Sequence, residues 1–245
     1  MLIVNADDIG RCKEATDSAL ACYRRRRVTS TSAMMFMEDS ERAAELALME
    51  NIDVGLHINF CEEFTSDAVS SRLLEYHDRI CRFTGRNKYS FLLYDPRLRN
   101  HFRYVFQAQY EEFIRLYKRL PSHMDGHKHM HLASNMLFDG IIPYGTKVRR
   151  NFTFFPGEKG YMNRFYRHAV DSWLQRRYHL TDYFFALLPY DAVRIGCVIM
   201  LADAGNVELM THPQFPGEYH YLMSDEYGQA ISKAHLGNYS ALQDP

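Results

Sequence analysis

MLIVNADDIG, residues 1–10, is an apolar run halted by an asparagine and two adjacent aspartates. A run this short and β-branched predicts a strand buried on both faces, the kind found in parallel sheets. Successive side chains of a strand point to opposite faces. Asp7 and Asp8 therefore cannot serve one site unless the chain leaves the strand there, and Gly10 makes such a departure easy. The plainer alternative is that one of the two aspartates only caps the helix that follows.

Outward from this strand, residues 13–26 carry helical spacing and 28–37 read as a second strand. A helix over 39–49 follows, with Asp39 or Ser40 supplying its cap. Residues 53–60 form the third strand. Phe102, Val105, Phe106, Tyr110, Phe113, Tyr117 and Leu120 recur at three- and four-residue steps, which predicts a helix over 98–120 that Pro121 stops. A short strand at 122–124, a helix at 132–143, a strand at 146–149 and a helix at 160–178 come next. A strand at 207–210 and a helix at 224–236 close the chain. This alternation predicts the α/β class, with a parallel sheet and helical crossovers. At 245 residues the expectation is a single domain over 1–245, a distorted (β/α) barrel that is TIM-barrel-like, complete or incomplete. No GxGxxG opens a helix, so a dinucleotide-binding fold lacks its fingerprint.

Two stretches resist regular assignment. Residues 61–97 form a long insertion after the third strand, carrying Phe64, Tyr76, Phe83, Tyr89, Phe91 and Tyr94. Connections of that length serve as lids or binding loops, or this one has helices of its own that pack on the barrel wall or on another subunit. Residues 150–160 read as a shorter aromatic loop.

Hydrophobic residues make up 47% of the chain and charged residues 24%, the composition of an ordinary globular protein. The formal net charge of −1, with no long basic block, excludes nucleic acid as the expected partner. Arg24 to Arg27 read as the last turn of a helix, where cations complement exposed carbonyls. Five cysteines without CxxC spacing argue against a disulfide framework or a zinc knuckle. The amino terminus lacks the apolar core of a signal peptide, and no apolar segment could span a bilayer, so the expected location is the cytoplasm.

HMDGHKHMH, residues 123–131, holds four of the twelve histidines around Asp125. Imidazole is the commonest protein ligand for a divalent metal. The expected strands end at Asp7 and Asp8, at His57, at Asp125 and His127, and at His212. In parallel α/β barrels the carboxyl ends of the strands gather the active site. Each residue has a plainer reading: His57 as a hydrogen-bonded core histidine, His129 and His131 as lining of the entrance or caps for the next helix. His123 and His131 are also candidates for structural partners that hold a ligand's tautomer.

The motifs NADDIG (5–10), VTSTSAMM (28–35), VGLHINF (54–60), MDGHKHMH (124–131), VRR (148–150) and ELMTHP (208–213) occur in one order. Together they resemble the YdjC/ChbG-like carbohydrate deacetylases, which include chitooligosaccharide deacetylase and a hopanoid-pathway relative. The resemblance runs through most of the chain. It implies a distorted (β/α) barrel and one divalent metal held by Asp8, His57 and His127. Three protein ligands leave positions open for water and substrate, as a catalytic site requires. It also implies Asp7 as general base and Arg149 as the group that orients it; His212, or a histidine of the 129/131 pair, is the candidate general acid, and His129, His131 and Asp125 are the candidates for contact with substrate. The metal is magnesium by resemblance, whereas two imidazoles and a carboxylate suit zinc. The expected reaction is removal of an N-acetyl group from an amino sugar or oligosaccharide, releasing acetate. The alternatives are hydrolysis of another amide or ester, or sugar binding without catalysis. A homodimer is the candidate assembly.

Three departures stand out: Ile9 for the common Phe, Cys61-Glu62-Glu63 where a Thr-Glu-Gly turn is frequent, and Gly126 for a common Ser or Thr. The altered turn borders the expected pocket and bears on which sugar is taken.

Overall fold

The computed structural model describes residues 1–87, 89–155 and 157–242. Position 88 of the 61–97 segment, position 156 of the 150–160 loop and the last three positions lie outside the described residues. The strands are β1 (Leu2–Ile9), β2 (Ser30–Ala33), β3 (Val54–Ile58), β4 (Met124–Gly126), β5 (Tyr183–Ala186), β6 (Val207–Thr211) and β7 (Leu236–Gly237). The helices are α1 (Lys13–Arg24), α2 (Ser40–Met49), α3 (Ser71–Thr84), α4 (Arg99–Tyr117), α5 (Ser134–Phe138), α6 (Tyr161–Gln175), α7 (Ala192–Ala204), α8 (Pro216–Met223) and α9 (Asp225–Ile231).

All eight residues of β1 are buried. Leu2, Ile3 and Val4 are fully covered, and burying each such side chain is worth about 1.5–3 kcal/mol. The expected α/β class with a parallel sheet is what the structure has. Strand order is β4-β3-β2-β1-β6-β5, with β7 also beside β1. β1 runs parallel to β6, aligning Leu2 with Val207 and Ala6 with Thr211, and β5 runs parallel to β6. β3 runs parallel to β4 and sets His57 opposite Asp125. The order begins at β4 and ends at β5 without closing among the described residues, so the barrel is of the incomplete kind.

The chain divides into two compact units. One comprises Met1–Asp7, Asp17–Thr31 and the chain from Tyr144 onward; the other comprises Asp8–Thr16 and Ser32–Pro143.

Several elements differ from the expectation. Residues 146–149 are not a strand: Lys147 makes only an isolated parallel bridge to His179. The following segment bonds sparsely to β5, as in Thr153 N–H to the Phe184 carbonyl at 2.7 Å. β5, α7 and α8 lie where no element was expected, and the shorter α9 replaces the expected 224–236 helix. Asp39 precedes α2 but makes no side-chain capping bond. Its Oδ1 instead accepts from Arg42 Nε at 2.8 Å, and the Ser40 hydroxyl is spent on Met37 N–H and the Met34 carbonyl, both at 2.9 Å.

The 61–97 insertion has a helix of its own. Ser70 caps α3 by accepting from Leu73 N–H, and α3 packs along α4 through the buried residues Leu73, His77, Ile80 and Phe83. Its aromatic residues divide in role: Phe64 and Phe83 are buried, whereas Tyr89 and Tyr94 are exposed.

Candidate metal and catalytic site

Three donors meet in the unit that contains β3 and β4. Asp8 sits near the end of β1 with φ at 71°, a left-handed conformation that breaks the strand's alternation between two adjacent acids. His57 projects from β3, and His127 follows β4 directly. One ligand atom from each of these three buried residues lies within 4.8 Å of the other two. Asp8 Oδ1 is 3.1 Å from His57 Nε2 and 2.9 Å from His127 Nδ1. A buried carboxylate and two imidazoles, with donor atoms this close, could hold a metal ion.

Burial opposes ionisation of Asp8, but hydrogen bonds from His127 and His57 outweigh it and hold the carboxyl well below the usual carboxylate range. Each histidine is backed on its other nitrogen. His57 Nδ1 lies 2.8 Å from Asp125 Oδ1 and 3.2 Å from Ser32 Oγ. His127 Nε2 lies 2.9 Å from Glu62 Oε2.

Asp125, expected to face substrate, is fully buried against His57. His131 is buried, and its ring centroid lies 6.2 Å from that of the partly exposed His129. Lys128 and His129 are left-handed, at φ 50° and 59°, so the chain turns sharply after His127. A Cβ at Gly126 would meet His131 N at 2.7 Å, so the glycine belongs to this turn. His123 is fully buried, and its ring fills the space beside Gly55, where a Cβ would come within 2.4 Å of it.

A second network lies in the unit that holds β5 and β6. The fully buried Arg149 grips Asp7 with both terminal nitrogens, Nη1 to Oδ2 at 2.6 Å and Nη2 to Oδ1 at 2.7 Å. Its Nε donates to Glu208 Oε1 at 2.8 Å. Arg149 thus answers two buried carboxylates, and such forked bonds fix orientation as well as charge. Asn5 Nδ2 adds a 2.8 Å bond to Asp7 Oδ1, and Tyr239 donates its hydroxyl to Glu208. His212 Nε2 stands 4.0 Å from Asp7 Oδ2, beyond hydrogen-bond range, while its Nδ1 is 3.7 Å from Glu218 Oε1. Arg149 also lies over the Phe184 ring, which stacks on Phe152 at 4.6 Å. Phe152, Phe154 and Phe165 help line a neighbouring cavity of about 480 Å³ together with Arg150, Arg164 and Arg167.

Glu62, Glu208, Tyr239, Asn5 and Glu218 escaped the reading of the sequence as site residues. Three had a signal: Glu62 lies in the altered turn beside the expected pocket, Asn5 is two residues from Asp7 and so shares its strand face, and Glu208 is an acid inside the apolar VELMT.

The family model described as YdjC-like protein matches residues 1–245. The chain belongs to this family. Among YdjC-like relatives, the carbohydrate deacetylase of Xenopus laevis is 25% identical, with the match covering 96% of this chain and 89% of that protein. The carbohydrate deacetylase of Danio rerio is 28% identical over 55% of this chain and 43% of its own length. The chitooligosaccharide deacetylase of Proteus mirabilis is 29% identical over 54% of this chain and 50% of its own. The chain thus spans about half the length of the Danio and Proteus proteins. A crystal structure from Enterococcus faecalis V583, named as a candidate cellobiose-phosphate cleavage protein, superimposes with a TM-score of 0.68. It covers 99% of this chain and 98% of its own at 18% identity, a likeness of fold.

Proposed function

We propose that the protein is a metal-dependent hydrolase that removes the N-acetyl group of an amino sugar or oligosaccharide and releases acetate. The observation that carries this reading is the buried Asp8, His57 and His127 donor group. The deacetylase names of its relatives supply the substrate class. Asp8, His57 and His127 are the ligands; two imidazoles with one carboxylate favour zinc, while the family resemblance favours magnesium. A divalent ion held there supplies Lewis-acid polarisation of the acetamide carbonyl and a lowered pKa for water.

The remaining steps belong to the chain. Asp7 takes a proton from the attacking water as the new C–O bond forms. Arg149 and Asn5 hold the Asp7 carboxylate in one orientation while it does so. His212, whose backbone N–H donates to Glu218, delivers a proton to the sugar nitrogen as the C–N bond breaks. The products are acetate and the free amine. The partly exposed His129 is the surface offered to the sugar. Residues 1–245 act as one deacetylase domain working in the cytoplasm. Among the described residues, no helix is long and apolar enough to cross a membrane.

The test is acetate release from a panel of N-acetylated sugars by wild type and Asp7→Asn. The variant should keep wild-type affinity for Zn²⁺ yet lose about 10²–10⁴-fold in kcat, the usual share of a general base. Turnover unchanged in the variant would remove Asp7 as base. Ester cleavage without action on any sugar would overturn the substrate class.

A further inference from the structure

Glu62 has no part in the donor group, yet its carboxylate meets a ring nitrogen of one ligand. The two histidines are arranged in opposite senses. For His57, Asp8 faces Nε2 and Asp125 faces Nδ1. For His127, Asp8 faces Nδ1 and Glu62 faces Nε2. A neutral imidazole has one N–H and one lone pair. The nitrogen that binds a metal must present the lone pair, so the proton belongs on the other nitrogen, where a carboxylate can accept it.

The placement of Glu62 is built rather than incidental. Asn59 Oδ1 accepts from the N–H groups of Cys61 at 3.1 Å and Glu62 at 2.9 Å. Asn59 Nδ2 donates to the Glu62 carbonyl at 2.7 Å. Gln109 of α4 fixes Asn59 in turn, with Oε1 accepting from its N–H at 2.8 Å and Nε2 donating to its carbonyl at 3.0 Å. Both Asn59 and Gln109 are fully buried. On its far side, Glu62 Oε1 accepts from Arg11 Nε at 2.7 Å. The carboxylate is therefore aimed from a rigid turn and restrained by a cation.

We infer that Glu62 is the positioning residue for His127: it holds the proton on Nε2 and leaves Nδ1 as the metal-binding atom, while His57, backed by Asp125, binds through Nε2. This rests on the reading of Asp8, His57 and His127 as a metal site. A carboxylate behind a ligating imidazole fixes its tautomer and raises its basicity, and loss of such a partner costs about 10–100-fold in metal affinity.

The experiment titrates Co²⁺, followed by its visible absorption, and Zn²⁺ by competition, into wild type, Glu62→Gln, Glu62→Ala and Asp8→Asn. Long-range ¹H–¹⁵N correlation of the histidine rings is recorded on the metal-free and Zn²⁺-loaded wild type. The expected result is a 10–100-fold weaker affinity in the Glu62 variants, larger for alanine, with the metal-free melting temperature little changed. In the Zn²⁺-loaded wild type, His127 should carry its proton on Nε2 and His57 on Nδ1. Wild-type affinity in both Glu62 variants, or a His127 proton on Nδ1 in the loaded protein, overturns this inference while the metal site stands. Wild-type affinity in Asp8→Asn overturns the metal site, and this inference with it.

Discussion

Asp8 combines two requirements at one residue. Its φ of 71° is a conformation that aspartate, asparagine and glycine visit far more readily than other residues. Its charge is held by His57 and His127 against the cost of burial. The two requirements separate under substitution. Asp8→Asn keeps the backbone preference and removes the charge, so calorimetry should find Zn²⁺ affinity down by 100-fold or more and a metal-free melting temperature close to wild type. Asp8→Ala should add strain of about 1–2 kcal/mol, read as a lower melting temperature. Equal melting of the two variants would argue against a strained position.

At the scale of elements, α3 carries a buried histidine that the site does not use. His77 stacks on Phe64 with ring centroids 4.1 Å apart, and burial pulls its pKa from the ordinary 6.5 down to about 4. The unfolded chain therefore takes up this proton first as pH falls. Stability from His77 is fully present above pH 6.5 and is lost between 6.5 and 4, by about 3 kcal/mol at most. Urea unfolding of wild type and His77→Phe across that window should show a shallower acid dependence in the variant. Parallel curves would show that His77 does not set it. The aromatic residues of 61–97 suggested a lid or a packed insertion; the segment has a helix of its own, α3, which buries Leu73, His77 and Ile80 at helical steps.

Over the whole molecule, the strand–helix alternation and the clustering of Asp8, His57 and His127 were legible because each rests on local signals: apolar runs, punctuation, and polar residues at strand ends. What was not legible depends on pairing at a distance. β5, with Tyr183 and Phe185, carries no alternation of polar and apolar residues, and 146–149 has strand composition but found no continuous partner. Glu62 and Tyr239 reach the site networks only through tertiary folding, so their residue types alone did not mark them. A preorganised donor group also predicts linkage between binding and global stability. Zn²⁺ at 100 times its Kd should add about 2.7 kcal/mol, a rise in Tm of about 5–10 °C for a chain of this size, reversed by chelator. An unchanged Tm at saturating metal would mean that the donors are not assembled in the native state.

The two compact units meet along the chain at four points, between residues 7 and 8, 16 and 17, 31 and 32, and 143 and 144. The first three fall inside β1, α1 and β2. No contiguous stretch of the gene therefore encodes either unit, and only the last crossing offers a loop in which to break the chain. Recombination with a relative at 143/144 can exchange the segment from 144 onward, but it cannot hand over one unit intact.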